Sequence, residues 1–193
     1  MSKRIQTPIV CGMQRSASRL TWQIVKILNN EEIPEDYVLP PGWTKEVDGE
    51  LVRFDDYKYP LGVFPLRDHG YWPEVPVIYT YRNPIESFLS LRWKYISDVG
   101  SDHEHVNSKE DALKCALADM ALQQEHYKKY LQDSKNGRKV LFLKYEDHYQ
   151  NPKSRITSIV DFVGFSVSKS EIQQVLESTS IGENFDRGVA LYR

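Results

Sequence analysis

Short apolar runs alternate with amphipathic segments along most of the chain. Continuous apolar runs at 7–12, 75–81 and 140–143 predict strands covered on both faces, and a weaker run at 61–66 predicts a further short strand. Apolar residues spaced three or four positions apart predict helices between and after these strands. The predicted buried helical faces carry Leu20, Ile24, Ile27 and Leu28, then Leu113, Leu117, Met120, Tyr127 and Leu131, then Ile156, Ile159, Val160 and Val163.

Polar residues mark where several of these helices begin. Asn83 and Pro84 predict an N-cap and a first helical residue, with Glu86 reaching back as in a capping box. Ser108 predicts the cap of the longest helix. Ser168, followed three positions later by a glutamate, predicts a capping box for the last helix.

This order of elements predicts an α/β protein with three α/β/α layers. Strands that alternate with helices form a parallel sheet, and four or five strands are expected here. One domain is predicted over 1–193, in line with a length of 193 residues. Residues 31–60 contain four prolines and are predicted to be irregular. Ligands of such folds bind at the carboxyl ends of the strands.

Composition narrows the function classes. Lys and Arg number 25 against 27 Asp and Glu, a net charge of −2, which argues against nucleic-acid binding. An anionic ligand must therefore be held by a few placed cations. Two cysteines are too few for a disulfide framework or a structural zinc site. No apolar segment is long enough to predict a membrane span or a signal peptide, so a cytoplasmic protein is expected.

The first candidate site follows the first strand, at residues 14–19. Small residues at 16–18 let backbone amides approach a ligand, and a helix N-terminus there favours phosphate or sulfate. Arg15 and Arg19 add full positive charges. The segment lacks the Walker A pattern. An ordinary strand-to-helix turn with two solvated arginines is the alternative.

The second candidate follows the strand at 75–81. Arg82 leaves that strand, and Ser90 lies two turns into the next helix, so both can face the same sheet edge as the first loop. An arginine and a hydroxyl make a suitable phosphate clamp. The alternative is a capping turn whose arginine pairs with a carboxylate.

Together the two segments resemble the sulfotransferases that use 3′-phosphoadenosine 5′-phosphosulfate (PAPS). The family's first loop has the form P-[KR]-S-G-[ST]-[ST], and its second motif, R-[ND]-P-x-[DE]-x-x-x-S, is matched in full by 82–90. A third segment at 140–152 resembles the family's strand-Y-E-D-…-[DN]-P. The resemblance implies a P-loop NTPase-like fold. It also implies that the 5′-phosphosulfate is held by Arg15, Ser16, Ala17, Ser18 and Arg19, and the 3′-phosphate by Arg82 and Ser90.

The same resemblance places Tyr145 and Thr179 near the adenine and assigns Arg187 to the family's basic C-terminal phosphate loop. Ala17 departs from the family, which has glycine there. Alanine is suitable only if this position does not need a positive φ.

The resemblance also implies catalytic roles. Arg15 replaces the family's lysine and would neutralise the leaving phosphate. Arg67 and His69 would correspond to the lysine and histidine of a K-T-H segment, with His69 as the base. A loop histidine hydrogen-bonded to Asp68 is the alternative.

The implied function is transfer of a sulfuryl group from PAPS to a hydroxyl or amine, without a metal. The acceptor is a small molecule, a glycan or a lipid. Aromatic residues between 31 and 72 are expected to shape its pocket or to be core, and a homodimer is left open. Two alternatives remain: a non-catalytic nucleotide-binding protein of this fold, and a P-loop kinase, which would need a loop lysine and a magnesium carboxylate.

Overall fold

The computed structural model describes residues 8–29, 44–47, 50–53, 67–97 and 106–179, with the backbone alone at 44–47 and 50–53. Strands and helices alternate through these ranges. They are β1 (Ile9–Gly12), α1 (Ser18–Asn29), β2 (Thr44–Val47), β3 (Glu50–Arg53), β4 (Val77–Tyr81), α2 (Pro84–Ser97), α3 (Lys109–Lys135), β5 (Val140–Lys144), α4 (Asp147–Gln150), α5 (Pro152–Val163) and α6 (Lys169–Ser178).

The main sheet is parallel and has the order β1-β4-β5. Ile9 pairs with Val77, and Val77 pairs with Val140, so the three strands begin level. A single parallel bridge joins Arg67 to Val10 at the other edge of β1. The described ranges thus hold three of the four or five strands predicted, and the predicted strand at 61–66 lies outside them.

Helices cover both faces of this sheet. On one face, Val10, Ile78 and Leu143 pack with buried residues of α1, α5 and α6. On the other, Ile9, Cys11, Val77 and Tyr79 pack with Trp72 and with Tyr130 of α3. This arrangement confirms the predicted three-layer α/β/α fold. Both faces of β1 and β4 are buried, which is why these strands appear in the sequence as continuous apolar runs.

Two paired strands lie within the segment predicted to be irregular, so that prediction is wrong for 44–47 and 50–53. Strands β2 and β3 are antiparallel, with Val47 paired to Glu50. The sequence between them is Asp48-Gly49, a dipeptide strongly favoured in two-residue hairpin connections. The prolines on either side of this segment obscured that local signal.

The buried face of α3 also differs from the prediction. Leu113 and Leu117 are 38% and 54% exposed. The buried residues are instead Ala112, Ala116, Met120, Gln123, His126 and Tyr130. Ala116 and Met120 pack against Leu91 of α2, and small residues allow the two helices to lie close together. Hydrophobicity alone therefore selected a neighbouring face.

The ends of the helices follow the predicted caps, with one change. Asn83 Oδ1 accepts from the amide of Ile85 at 3.0 Å, and Ser108 accepts from Asp111 at the start of α3. Ser168 and Glu171 form the predicted capping box. Glu86 is different, because its carboxylate reaches the guanidinium of Arg82.

Candidate functional site

The site lies where β1 and β4 end side by side. Gly12 pairs with Thr80, and the amide of Met13 donates to the Thr80 carbonyl at 3.0 Å. A Cβ at position 12 would lie 2.0 Å from Thr80 Oγ1 and 2.5 Å from its carbonyl oxygen, so only glycine fits. The buried Ser16 hydroxyl lies 2.7 Å from Thr80 Oγ1 and 2.5 Å from the Met13 carbonyl. These contacts fix the loop after β1 against β4.

Two residues of this loop adopt left-handed backbone conformations. Arg15 and Ala17 each have φ of 64°. From the sequence, alanine is expected to suit position 17 only if φ there is not positive. The positive φ of Ala17 does not meet that condition. A left-handed conformation costs an L-residue roughly 1–2 kcal/mol. The loop is therefore strained at two positions where it carries side chains instead of glycine.

Helix α1 begins immediately after this loop. Its first backbone bond runs from Thr21 N to the Ala17 carbonyl at 3.0 Å, so the amides of 18–20 have no acceptor within the helix. These amides, rather than that of Ser16, suit an anion. Ser16 uses its amide, at 3.3 Å, and its hydroxyl on the Met13 carbonyl. In this structure Ser16 stabilises the loop from inside.

The structure brings together the two segments predicted to bind phosphates. Arg15 Nε donates to Ser90 Oγ at 2.9 Å, which joins the first loop to the helix that follows Arg82. Arg82 Nε and Nη2 lie 3.0 and 2.9 Å from the Glu86 carboxylate. The Arg82 guanidinium also stacks over the ring of Tyr145, 4.1 Å from its centroid. Arg82 therefore makes the ion pair with a carboxylate that the alternative interpretation predicts, and its partner is Glu86.

His69 lies beside the end of β1. Its Nδ1 is 2.6 Å from the Gly12 carbonyl, which can only accept, so Nδ1 carries the proton and Nε2 keeps a lone pair. The backbone amide of His69, not its ring, donates to Asp68 Oδ1 at 2.7 Å. The alternative of a loop histidine hydrogen-bonded to Asp68 is thus met through the backbone, while the ring bonds to Gly12. Burial lowers the pKa of His69, and the positive charge of Arg67 lowers it further.

Arg67 adds positive charge next to this histidine, and Arg19 lies within electrostatic reach of Arg67. Burial lowers the pKa of the Arg67 guanidinium, and the nearby charge of Arg19 is the second cause. Asp68 opposes both effects. Two arginines within electrostatic reach of each other at a helix N-terminus favour an anion between them.

Of the two residues predicted near adenine, Tyr145 contacts Arg82 and Thr179 lies at the end of α6. The Tyr145 hydroxyl lies 2.7 Å from that of Tyr149, and the Tyr145 ring meets Arg82 as described. Thr179 ends α6, where its hydroxyl donates to the Val175 carbonyl at 2.6 Å. Arg187 lies outside the described residues.

A cavity of about 550 Å³ opens at the same sheet edge, on the α3 side. This volume is within the range typical of ligand pockets. Its walls are Met13, Tyr81, Arg82, Asn83, Pro84, Glu86, Gln124, Tyr127, Lys128, Lys144 and Glu146. Of the aromatic residues predicted to shape an acceptor pocket, Trp72 is fully buried and bonds through Nε1 to Asp68, which makes it core. The aromatics between 31 and 66 lie outside the described ranges.

Sequence reasoning missed the polar contacts that hold the loop from α3. Gln14 N donates to Gln123 Oε1 at 2.6 Å, and Gln14 Nε2 donates to Asp119 Oδ2 at 2.8 Å. Gln14 is more than 100 positions from both Asp119 and Gln123, and no local sequence motif predicts these hydrogen bonds. The one usable signal was a glutamine at a buried helical spacing from Met120.

Comparisons with known proteins point to one family. A sequence profile described as the sulfotransferase domain matches residues 69–184. Cytosolic sulfotransferase 14 of Arabidopsis thaliana is 32% identical over 114 residues, which cover 56% of this chain and 33% of that protein. Cytosolic sulfotransferase 13 of the same plant is 27% identical over 106 residues, covering 52% and 32%. The chain spans about a third of the length of these relatives.

A solved structure gives an independent comparison of the fold. Mouse sulfotransferase SULT7A1, crystallised in complex with PAP, aligns with a TM-score of 0.55 at 18% identity. The alignment covers 94% of this chain and 66% of that one. At this identity the likeness concerns the fold alone. It includes the N-terminal part of the chain, whereas the profile match begins at His69.

Membrane-spanning helices and clusters of metal ligands are both missing from the described ranges. None of the helices there is long and apolar enough to cross a membrane. Among the same residues, no group of three or more His, Cys, Asp or Glu side chains is arranged to hold a metal ion.

Proposed function

Because the chain belongs to the sulfotransferase domain family, we propose that it transfers a sulfuryl group from PAPS to a hydroxyl or amine acceptor. The observation that carries this proposal is the hydrogen bond between Arg15 and Ser90. It joins the two segments whose motifs belong to opposite ends of one nucleotide. A nucleotide with a phosphate at each end therefore has donors for both ends at one sheet edge.

The donor set suits such a nucleotide. The α1 amides at 18–20, with Arg15 and Arg19, offer charge-assisted hydrogen bonds to a 5′-phosphosulfate. Arg82 and Ser90 offer the same to a 3′-phosphate. Arg82 already lies against Glu86, so it would exchange one anion for another on binding.

The residues around His69 suit proton removal from an acceptor. PAPS supplies a sulfuryl group on a phosphate leaving group. With Nδ1 bonded to the Gly12 carbonyl, Nε2 of His69 can take the acceptor's proton as the acceptor oxygen or nitrogen attacks sulfur. The sulfur–oxygen bond to phosphate then breaks, and its electron pair leaves with the phosphate. Arg15 would neutralise that developing charge, and Arg67 would favour the anionic sulfuryl oxygens.

Calorimetry with 3′-phosphoadenosine 5′-phosphate (PAP), the nucleotide that remains when PAPS loses its sulfuryl group, tests the nucleotide assignment. Wild-type protein should bind PAP more tightly than AMP, which lacks the 3′-phosphate. Arg82→Ala should lose about 10- to 100-fold of PAP affinity while AMP binding changes little, since a hydrogen bond to a charged group contributes roughly 1.5–3 kcal/mol. Arg92→Ala, which removes an exposed arginine of the following helix α2, is the matched control.

Transfer of labelled sulfate to phenolic, glycan and lipid acceptors then separates the activities. Transfer to any of them supports a sulfotransferase. PAP binding without transfer would support the non-catalytic alternative, and binding of magnesium ATP in place of PAP would support the kinase. The acceptor, the cytoplasmic location, the single domain over 1–193 and the oligomeric state stay predictions of the sequence.

A further inference from the structure

A row of polar side chains runs along the inward face of α3. Asp119, Gln123, His126 and Tyr130 recur at spacings of four, three and four residues, so they share one face of the helix. Gln123, His126 and Tyr130 are only 3%, 5% and 0% exposed. Polar groups this deeply buried are costly unless they are hydrogen-bonded, so their partners reveal what the face holds.

The N-terminal half of this face holds the loop that follows β1. Gln123 Oε1 accepts from the backbone amide of Gln14 at 2.6 Å. Asp119 Oδ2 accepts from the Gln14 side chain at 2.8 Å and from the Tyr95 hydroxyl at 2.5 Å. Arg15 follows directly in its left-handed conformation. A strained conformation persists only where surrounding contacts enforce it. The contacts of Gln14 with Gln123 and Asp119 hold the chain directly before Arg15.

The C-terminal half of the same face holds the loop that carries His69. His126 Nδ1 donates a hydrogen bond to the backbone carbonyl of His69 at 3.1 Å. The Tyr130 hydroxyl accepts from the Trp72 amide at 2.9 Å and donates to the Gly70 carbonyl at 3.1 Å. The loop at Gln14 and the loop at His69 are far apart in sequence. They nevertheless bond to α3 at Gln123 and His126, which are only three residues apart.

We propose that Gln123 and His126 are positioning residues, which hold Arg15 and His69 in one fixed register. Neither would touch the substrate. The proposal rests on the proposed sulfotransferase function for the roles of Arg15 and His69. It also accounts for a departure from the family pattern, because Gln14 stands where that pattern has proline. Proline has no amide hydrogen, whereas Gln14 has one, and Gln123 satisfies it.

Matched substitutions at Gln123 test this role. Gln123→Met keeps the length of the side chain and removes the acceptor, whereas Gln123→Glu keeps an acceptor oxygen. Gln132→Met repeats the first change at an exposed position of α3. We expect Gln123→Met to lower kcat about 10- to 100-fold with a much smaller change in KM for PAPS, because a small displacement of a reacting group has that effect. Gln123→Glu should recover most of the loss, and Gln132→Met should match wild type.

His126 offers a second, independent pair. His126→Leu removes the donor to the His69 carbonyl, and His126→Asn places an amide nitrogen near the position of Nδ1. The Leu variant should lower kcat to a similar extent, and the Asn variant should recover part of it. Equal kcat values per folded molecule for Gln123→Met, His126→Leu and Gln132→Met would overturn the proposal, even if melting temperatures differed.

Amide hydrogen exchange on the ligand-free protein decides the same question without turnover. Gln123→Met should accelerate exchange at 14–17 by at least 10-fold, and Gln132→Met should not. If wild-type protein fails to bind PAP or to transfer sulfate, the proposed function fails while the exchange result still supports or refutes the bracing by Gln123. If wild type is active and exchange in Gln123→Met is unchanged, only the positioning role fails.

Discussion

At the scale of single residues, the site combines conformational strain with placed charge. The loop keeps Arg15 and Ala17 at φ of 64°, where glycine would be easier to accommodate. Arg15 supplies a guanidinium in return, which glycine lacks. Ala17 supplies no functional group, so its strain has no evident compensation.

Ala17→Gly should therefore stabilise the protein. Relief of the left-handed conformation should outweigh the greater freedom of glycine in the unfolded chain, leaving a net gain of about 0.5–1 kcal/mol. Urea denaturation measures this free energy of unfolding. The same substitution at the exposed helical residue Ala118 should instead lose about 1 kcal/mol. A loss at both positions would show that residue 17 is not strained.

The pH dependence of turnover belongs to the same scale. Burial lowers the pKa of His69, so the ring stays neutral, and able to accept a proton, to lower pH than an ordinary histidine. We expect kcat/KM to rise with pH and to level off, with a midpoint below the usual value of about 6.5. His69→Gln should lower kcat by about 10²- to 10⁴-fold and remove this acidic limb. An unchanged limb in the variant would assign the proton transfer to another group.

At the scale of elements, strands and caps were predictable, and the orientation of α3 was not. The strands end near the predicted residues, and the capping residues act as local signals. The inward face of α3 depends on contacts with α2 and with two distant loops. Leu113 and Leu117 are therefore exposed although they are the more apolar residues, and Gln123 is buried with its side-chain oxygen bonded to the Gln14 amide.

Two substitutions on α3 distinguish the observed face from the predicted one. Ala116→Leu should destabilise the protein by about 1–3 kcal/mol, because the larger side chain must be inserted where α3 packs against Leu91. Leu117→Ala should change the free energy of unfolding by less than about 0.5 kcal/mol, because Leu117 is 54% exposed. Thermal or urea denaturation measures both, and the reverse ranking would restore the predicted face.

At the scale of the whole molecule, the sequence predicts the layers and the sheet edge that carries the site. It does so because parallel strands bring their carboxyl ends together wherever the turns lie in the chain. The pairing of Gly12 with Thr80, the ion pair of Arg82 with Glu86 and the bond from Arg15 to Ser90 all depend on tertiary distances. Motif spacing therefore predicts which segments meet but not which atoms touch.

Acid stability is a property of the whole fold. His148 on α4 is 6% exposed, and its pKa is lowered to about 4 by burial, with Arg155 as the second cause. The unfolded chain takes up this proton near pH 6.5, so the protein loses stability as the pH falls from about 6.5 towards about 4. At pH 5.5, His148 alone should lower the free energy of unfolding by roughly 1 kcal/mol relative to pH 7.5.

Urea denaturation at these two pH values measures the change. His148→Gln removes the titrating group, so its free energy of unfolding should fall less over the same interval. His126→Gln changes a second buried histidine and serves as the comparison. An identical fall in wild type and His148→Gln would mean that other groups govern acid unfolding.

The carboxylate of Glu86 has a consequence for which anions the site admits. A ligand that binds Nε and Nη2 of Arg82 has to displace the Glu86 carboxylate from them. A ligand group with one negative charge would replace the Glu86 carboxylate without adding charge next to Arg82. A group with two negative charges would interact with the guanidinium more strongly than the carboxylate does. For the proposed nucleotide, the charge on the group that meets Arg82 would therefore contribute to selectivity independently of any contact with adenine.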